Sequence, residues 1–148
     1  MTTTGALDWK FTHVHVYASD PDATVAWLTD GLGGEVVGRV QHNGYPMRTE
    51  VLIGGQLVQV RGRRETEHFV GAGPRSFGLD HIGLGVADVD AALDELRARG
   101  IEPVTTFDNG FTVPPGVAFV RGPDELWVEL APTKWYRSAD DSAKVDRA

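Results

Sequence analysis

One short pattern occurs twice in this chain, and the repetition constrains the fold more than any other feature. "KFTHVHVYASDPDATVAWL" (10–28) and "LDHIGLGVADVDAALDEL" (79–96) align without gaps. The alignment sets His81 under His13, Asp88 under Asp20, Asp90 under Asp22, Ala91 under Ala23 and Leu96 under Leu28. In the first copy Thr12, Val14, Val16 and Ala18 alternate with Phe11, His13, His15 and Tyr17, the period of a strand with one aliphatic face. Ile82, Leu84 and Val86 carry that face in the second copy, so His13 and His81 are both expected on the side away from it. Seven residues after each histidine stands an aspartate, Asp20 or Asp88, that reads as a helix N-cap rather than a catalytic acid. Pro21 follows at a first helical position, Val25, Trp27 and Leu28 give the helix an apolar side, and a glycine-rich exit ends it. His15 has no counterpart, because Gly83 occupies its place.

The remainder of each copy completes a strand, helix and three-strand unit. After the first helix come "EVVGRVQHN", "YPMRTEVLI" and "QLVQVRG", divided by Asn43-Gly44 and Gly54-Gly55 turns. After the second come "EPVTTF", "GVAFVRG" and "LWVELAP". The expected class is therefore α+β, with two βαβββ modules whose concave sheet faces pair into a half-barrel pocket. Module one spans 9–62, a polar linker 63–77, and module two 78–132, within one domain covering 9–136. Residues 1–8 and 137–148 are small, polar or charged and read as flexible termini. His68, in the polar "RRETEHFV" stretch, reads as a solvated linker residue.

Composition narrows the function. With 148 residues, one domain of this size buries about 70% of the surface its unfolded chain exposes. The 14 basic residues against 21 acidic ones leave no basic stripe for nucleic acid or an anionic membrane surface. No apolar run is long enough to span a bilayer, and "MTTTGALDWK" lacks the apolar core of a signal peptide, so a cytoplasmic protein is expected. The absence of cysteine removes disulfides, thiolate metal sites and cysteine nucleophiles together. Any metal must then be held by nitrogen and oxygen.

The stretch "LDHIGLGVADVDAALDEL" followed by "GPDELWVEL" resembles the second module of the vicinal oxygen chelate superfamily. That superfamily includes glyoxalase I, methylmalonyl-CoA epimerase, extradiol dioxygenases and bleomycin-resistance proteins. The resemblance covers about Phe11 to Pro132, and the first module joins it through its symmetry with the second. It implies that metal ligands come from the first and last strand of each module: His13, Gln59, His81 and Glu129. Two imidazoles, an amide oxygen and a carboxylate suit Ni, Co, Zn, Mn or Fe. The set His, Gln, His, Glu is the one that methylmalonyl-CoA epimerases resemble most, which favours an isomerase or epimerase, or a glyoxalase-like lyase, working through a metal-stabilised enolate. His42, Glu50 and a released Glu129 are the candidates for the base that removes the carbon acid's proton. His15, Tyr17, Arg48, Arg121 and Trp127 are candidate lining of the substrate pocket, with the arginines suited to a carboxylate or phosphate. Two other classes stay open: an Fe(II) dioxygenase using His13, His81 and Glu129 without Gln59, and a metal-free protein that sequesters a small molecule such as an antibiotic. A homodimer is implied by the same resemblance.

Overall fold

The computed structural model describes residues 10–41, 46–69, 78–107 and 110–135. The Asn43-Gly44 turn, His42, most of the linker and both termini lie outside them. In order, the elements are β1 (His13–Tyr17), α1 (Pro21–Ala26), β2 (Glu35–Val40), β3 (Arg48–Ile53), β4 (Gln56–Arg61), β5 (Ile82–Val86), α2 (Val89–Ala98), β6 (Ala118–Arg121) and β7 (Trp127–Pro132). The fold is α+β, with two small sheets of order β1-β4-β3-β2 and β5-β7-β6 and no closed barrel among the described residues.

Both helices start as the repeat implies. Asp20 accepts the Ala23 backbone N–H at 3.0 Å, and Asp88 accepts that of Ala91 at 3.0 Å. Each cap satisfies one of the amide groups that a first helical turn leaves without a partner. The first helix does not run uniformly to its glycine exit. From Trp27 to Gly31 it widens into a π-helical turn, in which the Leu32 N–H reaches the Trp27 carbonyl at 3.0 Å. The side-chain spacing on the page of the sequence is the same for either winding, so only the backbone hydrogen bonds reveal the difference.

The Gly54-Gly55 turn forms with both glycines at positive φ (56° and 79°), the conformation a two-residue hairpin demands. In the second module, "EPVTTF" does not form a full strand. It makes isolated bridges, Val104 to Phe119 and Thr106 to Thr112, because the chain curls back at once through the Phe107 N–H to Phe111 carbonyl bond of 2.8 Å. Module two therefore has a three-stranded sheet where a fourth strand was expected.

The aliphatic faces of the two sheets pack inward on one continuous core. Val25, Leu28, Val51, Val58 and Val60 fill the first half and Leu96, Val120, Val128 and Leu130 the second, and Trp27, Leu32, Ile82 and Leu84 touch both. A turn of the chain at Gly122–Leu126 fastens the halves from the outside. Asp124 accepts the Ser19 backbone N–H at 2.8 Å and its hydroxyl at 2.7 Å, although Asp124 and Glu125 are held at φ 51° and 59°, the left-handed region. Beside them Gly122 lies flat on the indole: a Cβ there would stand 2.8 Å from three Trp27 ring atoms.

The segment after β4 is tied down by charge. Arg61 is almost fully buried and donates from two nitrogens to the Glu67 carboxylate, at 2.8 and 2.9 Å. Its guanidinium also lies 4.4 Å from the centre of the Tyr17 ring, which stacks in turn on Phe69. The Arg61 hydrogen bond, then the Arg64 N–H, hold the Glu67 carboxyl down at about 2, below its ordinary 4.5.

Two outcomes follow from this packing. Gly122→Ala should lower unfolding free energy by about 1–3 kcal/mol, read from urea denaturation, because the new methyl would stand 2.8 Å from three Trp27 ring atoms and the indole must shift. Glu67 has a depressed folded-state pKa, so its stabilisation is complete above about 4.5 and is lost as pH falls toward about 2. Urea midpoints of the wild type and Glu67→Gln should therefore differ by a constant amount above that window and converge through it.

Candidate functional site

Strand register puts the polar residues of each module into rungs on the face away from the core. In the first sheet β1 runs parallel to β4 and β4 antiparallel to β3, so His15, Gln59, Glu50 and Gly38 form one rung across four strands. Tyr17, Arg61, Arg48 and Val40 form the next, and His13, Leu57, Leu52 and Glu35 the one before. In the second sheet Gly83, Glu129 and Phe119 share a rung, and Trp127 pairs with Arg121 beside it. His81 stands immediately before β5 rather than inside it.

The two modules show the same offset. His13 precedes by two residues the position that faces Gln59, and His81 precedes by two the position that faces Glu129. The positions that do face them are His15 and Gly83, where the two copies differ. An added Cβ at Gly83 would meet nothing within 4 Å, so the space above Glu129 is open, whereas His15 fills the corresponding space above Gln59.

In module two, His81 Nε2 lies 2.9 Å from Glu129 Oε2, and its Nδ1 lies 2.8 Å from Asp80 Oδ2. A carboxylate can only accept, so a proton on either ring nitrogen is donated, from Nδ1 to Asp80 or from Nε2 to Glu129, and the two carboxylates together fix the plane of the ring. Around this pair stand three aromatic rings. Phe119 packs edge-on to His81 at 5.1 Å, Phe107 edge-on to Phe119 at 5.1 Å, and Trp127 lies 6.0 Å from Phe107. Arg121 is engaged by Glu125, through its Nε at 2.9 Å and through Nη2, and it lies 5.7 Å from the Trp127 ring.

In module one, buried Gln59 donates from Nε2 to Glu50 Oε1 at 3.0 Å, and Arg48 Nη2 reaches the same oxygen at 3.4 Å. A Cβ on Gly38 would fall 2.7 Å from Glu50 Oε2, so the glycine leaves the room that this carboxylate occupies. His13 and His15 are exposed, with ring centres 6.3 Å apart, and His15 lies 5.3 Å from Tyr17. Loss of solvent around the ring, followed by the charges of Arg61, His13 and Arg48, lowers the pKa of His15.

The structure thus brings His81 to Glu129 and Gln59 to Glu50, and sets His13 on the same sheet face as Gln59. Among the described residues, no three His, Asp or Glu side chains of one chain gather closely enough to hold a metal ion. Of the candidate bases, Glu50 stands beside Gln59, Glu129 beside His81, and His42 lies outside the described residues. Phe107, Phe119 and Asp80 were not anticipated. Asp80 adjoins His81 in sequence, and Glu50 could have been placed from the Gly54-Gly55 turn alone, since a two-residue hairpin that sets Ile53 against Gln56 sets Glu50 against Gln59.

Comparison with solved structures finds the same fold at low identity. Leishmania major glyoxalase I, a trypanothione-dependent enzyme, superposes with a TM-score of 0.65 at 19% identity, over 86% of this chain and 88% of that one. A glyoxalase family protein from Enterococcus faecalis gives 0.62 at 23% identity, over 82% and 95%. The fosfomycin resistance protein FosX from Listeria monocytogenes, in complex with Mn(II) and 1S,2S-dihydroxypropylphosphonic acid, gives 0.59 at 16% identity, over 82% and 90%. No helix among the described residues is long and apolar enough to cross a membrane. A family model matches residues 10–130, nearly the whole described chain, and the protein belongs to the glyoxalase/bleomycin resistance protein/dioxygenase superfamily.

Proposed function

We propose that this protein is a divalent-metal-dependent isomerase or epimerase, or a lyase of the glyoxalase type, acting in the cytoplasm as a homodimer on a small oxygen-chelating substrate. The observation that carries the reading is the 2.9 Å approach of His81 Nε2 to Glu129 Oε2, repeated in register by His13 and Gln59 on the other sheet. The two side chains are close enough that one divalent ion would be held by both. Asp80 on the far ring nitrogen supplies the orienting carboxylate that ligating histidines commonly have. Gln59 spends its amide N–H on Glu50 and keeps its carbonyl oxygen as the ligand atom. His13, Gln59, His81 and Glu129 would hold the ion, and their mixed nitrogen and oxygen set accepts Ni, Co, Zn, Mn or Fe.

When bound, the ion supplies Lewis-acid stabilisation of charge developing on a substrate carbonyl oxygen. The proton is the work of the chain itself, and Glu50 is placed for it. Gln59 and Arg48 orient its Oε1, while Oε2 lies in the space that Gly38 leaves clear. A proton returned to the opposite face of the same carbon gives epimerisation, and one returned to the adjacent carbon gives isomerisation.

The dimer reading rests on the sheet edges. Among the described residues, β1 and β5 each end a sheet, with no strand paired on the outer side. Just ahead of them Phe11 and Leu79, at matching places in the repeat, are 69% and 75% exposed. Placing the first sheet of one copy against the second sheet of another would unite the two half-sites, which lie apart within one chain.

Two other readings have an observation each. An Fe(II) dioxygenase would use His13, His81 and Glu129 alone and leave Gln59 to its hydrogen bond with Glu50. The rings of Phe107, Phe119 and Trp127 favour a protein that sequesters a small molecule such as an antibiotic.

Elemental mass spectrometry of the purified protein, reconstituted with each metal in turn, separates the three. Near-stoichiometric metal is expected in the wild type and its loss in His81→Ala and Glu129→Ala; iron as the preferred ion would favour the dioxygenase, and no uptake the sequestering protein. The same measurement tests the shared site. A His13→Ala, Gln59→Ala chain mixed with a His81→Ala, Glu129→Ala chain should regain about a quarter of the wild-type metal per chain after subunit exchange, because half the dimers then contain one intact site. Sites within one chain would regain none. Glu50→Gln should bind metal normally yet lower deuterium wash-in from D2O by about 100-fold or more, with methylmalonyl-CoA as the first carbon-acid probe.

A further inference from the structure

We propose that Arg48 is an anion receptor in this site, and that the substrate is a small organic acid with its charged group on Arg48 and its apolar end against Phe107, Phe119 and Trp127. The inference names the substrate class of the site proposed above, and it rests on that reading for the meeting of the two sheet faces.

The chain carries a formal net charge of −7, and the open face of the first sheet gathers His13, His15, Arg48 and Arg61 around Gln59. Glu50 and Glu67 offset the two arginines, so an anion would be held here by an individual cation rather than by the face as a whole. Most of the nearby guanidinium groups are already committed. Arg61 is spent on Glu67, the Gly62 carbonyl and Tyr17, and Arg121 on Glu125. Arg39 donates to the Thr49 hydroxyl at 3.2 Å.

Arg48 is held far less well. Its Nη2 makes a long 3.4 Å contact to a Glu50 oxygen that Gln59 already occupies at 3.0 Å, and among the described residues its buried Nε has no hydrogen-bond partner. A buried donor left empty in a native fold calls for a reason. The side chain as a whole is 26% exposed, so its terminal nitrogens can be met from the open face. A carboxylate that turned the guanidinium toward itself would take Nε and Nη2 together, the paired fork that makes arginine a carboxylate receptor. Arg48 lies one rung from the Glu50 and Gln59 rung, so an acid seated on it would place its neighbouring carbon beside the proposed base.

The other half of the site is aromatic. Phe119 packs on His81, Phe107 and Trp127 pack on Phe119 in turn, and the open space at Gly83 lies on the rung of Phe119. Aromatic faces of this kind take an apolar or aromatic group.

The test is calorimetric titration of the full chain, without added metal and with Mn(II), using 3-phenylpropionate and its uncharged amide as probes. The titration without metal reads the anion subsite alone, and the one with Mn(II) adds any coordination of the probe's carboxylate by the ion. The acid should bind saturably and the amide at least about tenfold more weakly. Arg48→Gln should weaken the acid by about tenfold or more and leave the amide unchanged, and Arg48→Lys, which restores charge without the fork, should recover part of the loss. Equal binding of acid and amide, wild-type affinity in Arg48→Gln, or no saturable binding of the acid would each overturn the proposal. Mn(II) uptake measured on the same samples keeps the two ideas apart. If the wild type takes no Mn(II) while acid binding still depends on Arg48, the metal reading falls and the anion receptor stands. If Mn(II) binds normally and the acid is indifferent to Arg48, the receptor alone falls.

Discussion

Everything at the candidate site depends on the register between the first and last strand of each module. Side chains on a strand alternate between faces, so sliding β1 by one residue along β4 would bury His13 and His15 and expose Val14 and Val16. The aliphatic cores prevent this. Val14 and Val16 sit on the side of Val58 and Val60, and Ile82 and Leu84 on the side of Val128 and Leu130, so the apolar contacts that stabilise each sheet also fix which polar groups face outward and at what spacing. Position and stability are one problem here, with one solution for both halves.

Local chemistry was legible in the sequence, and non-local chemistry was not. The histidines, the capping aspartates and the alternation of the strands show because each is decided by residues within a few places of one another. The rings of Phe107 and Phe119 escaped notice because they reach His81 only through the pairing of β6 with β7 and a bridge from Val104. The short sheet of module two misled for a similar reason. Val104, Thr105 and Thr106 favour a strand by type, but the curl at Phe107 leaves them too little length to pair.

Arg61 shows the same boundary between what is local and what is not. As a residue in "LVQVRG" it is an arginine at a strand end, free by default to meet a substrate. In the structure it is nearly as buried as a core valine, and the cost of that burial is met by Glu67, Tyr17 and a backbone carbonyl together. Arg48, its neighbour across the β3–β4 pair, has one long hydrogen bond among the described residues instead. Two arginines in facing positions thus differ in kind, one a structural clamp and the other a group whose hydrogen bonds remain unfinished, and only the partners distinguish them.

The register shift between Val36 and Gly38 on β2 bears on how copies of this chain can approach one another. β2 is the far border of the first sheet, and a bulge there bends its backbone so that a neighbouring strand cannot lie flat along it. Glu35 and Arg39 add unlike charges to the same border. β1, at the opposite border, is a regular strand in step with β4 throughout. Pairing of two first sheets border to border is therefore confined to β1.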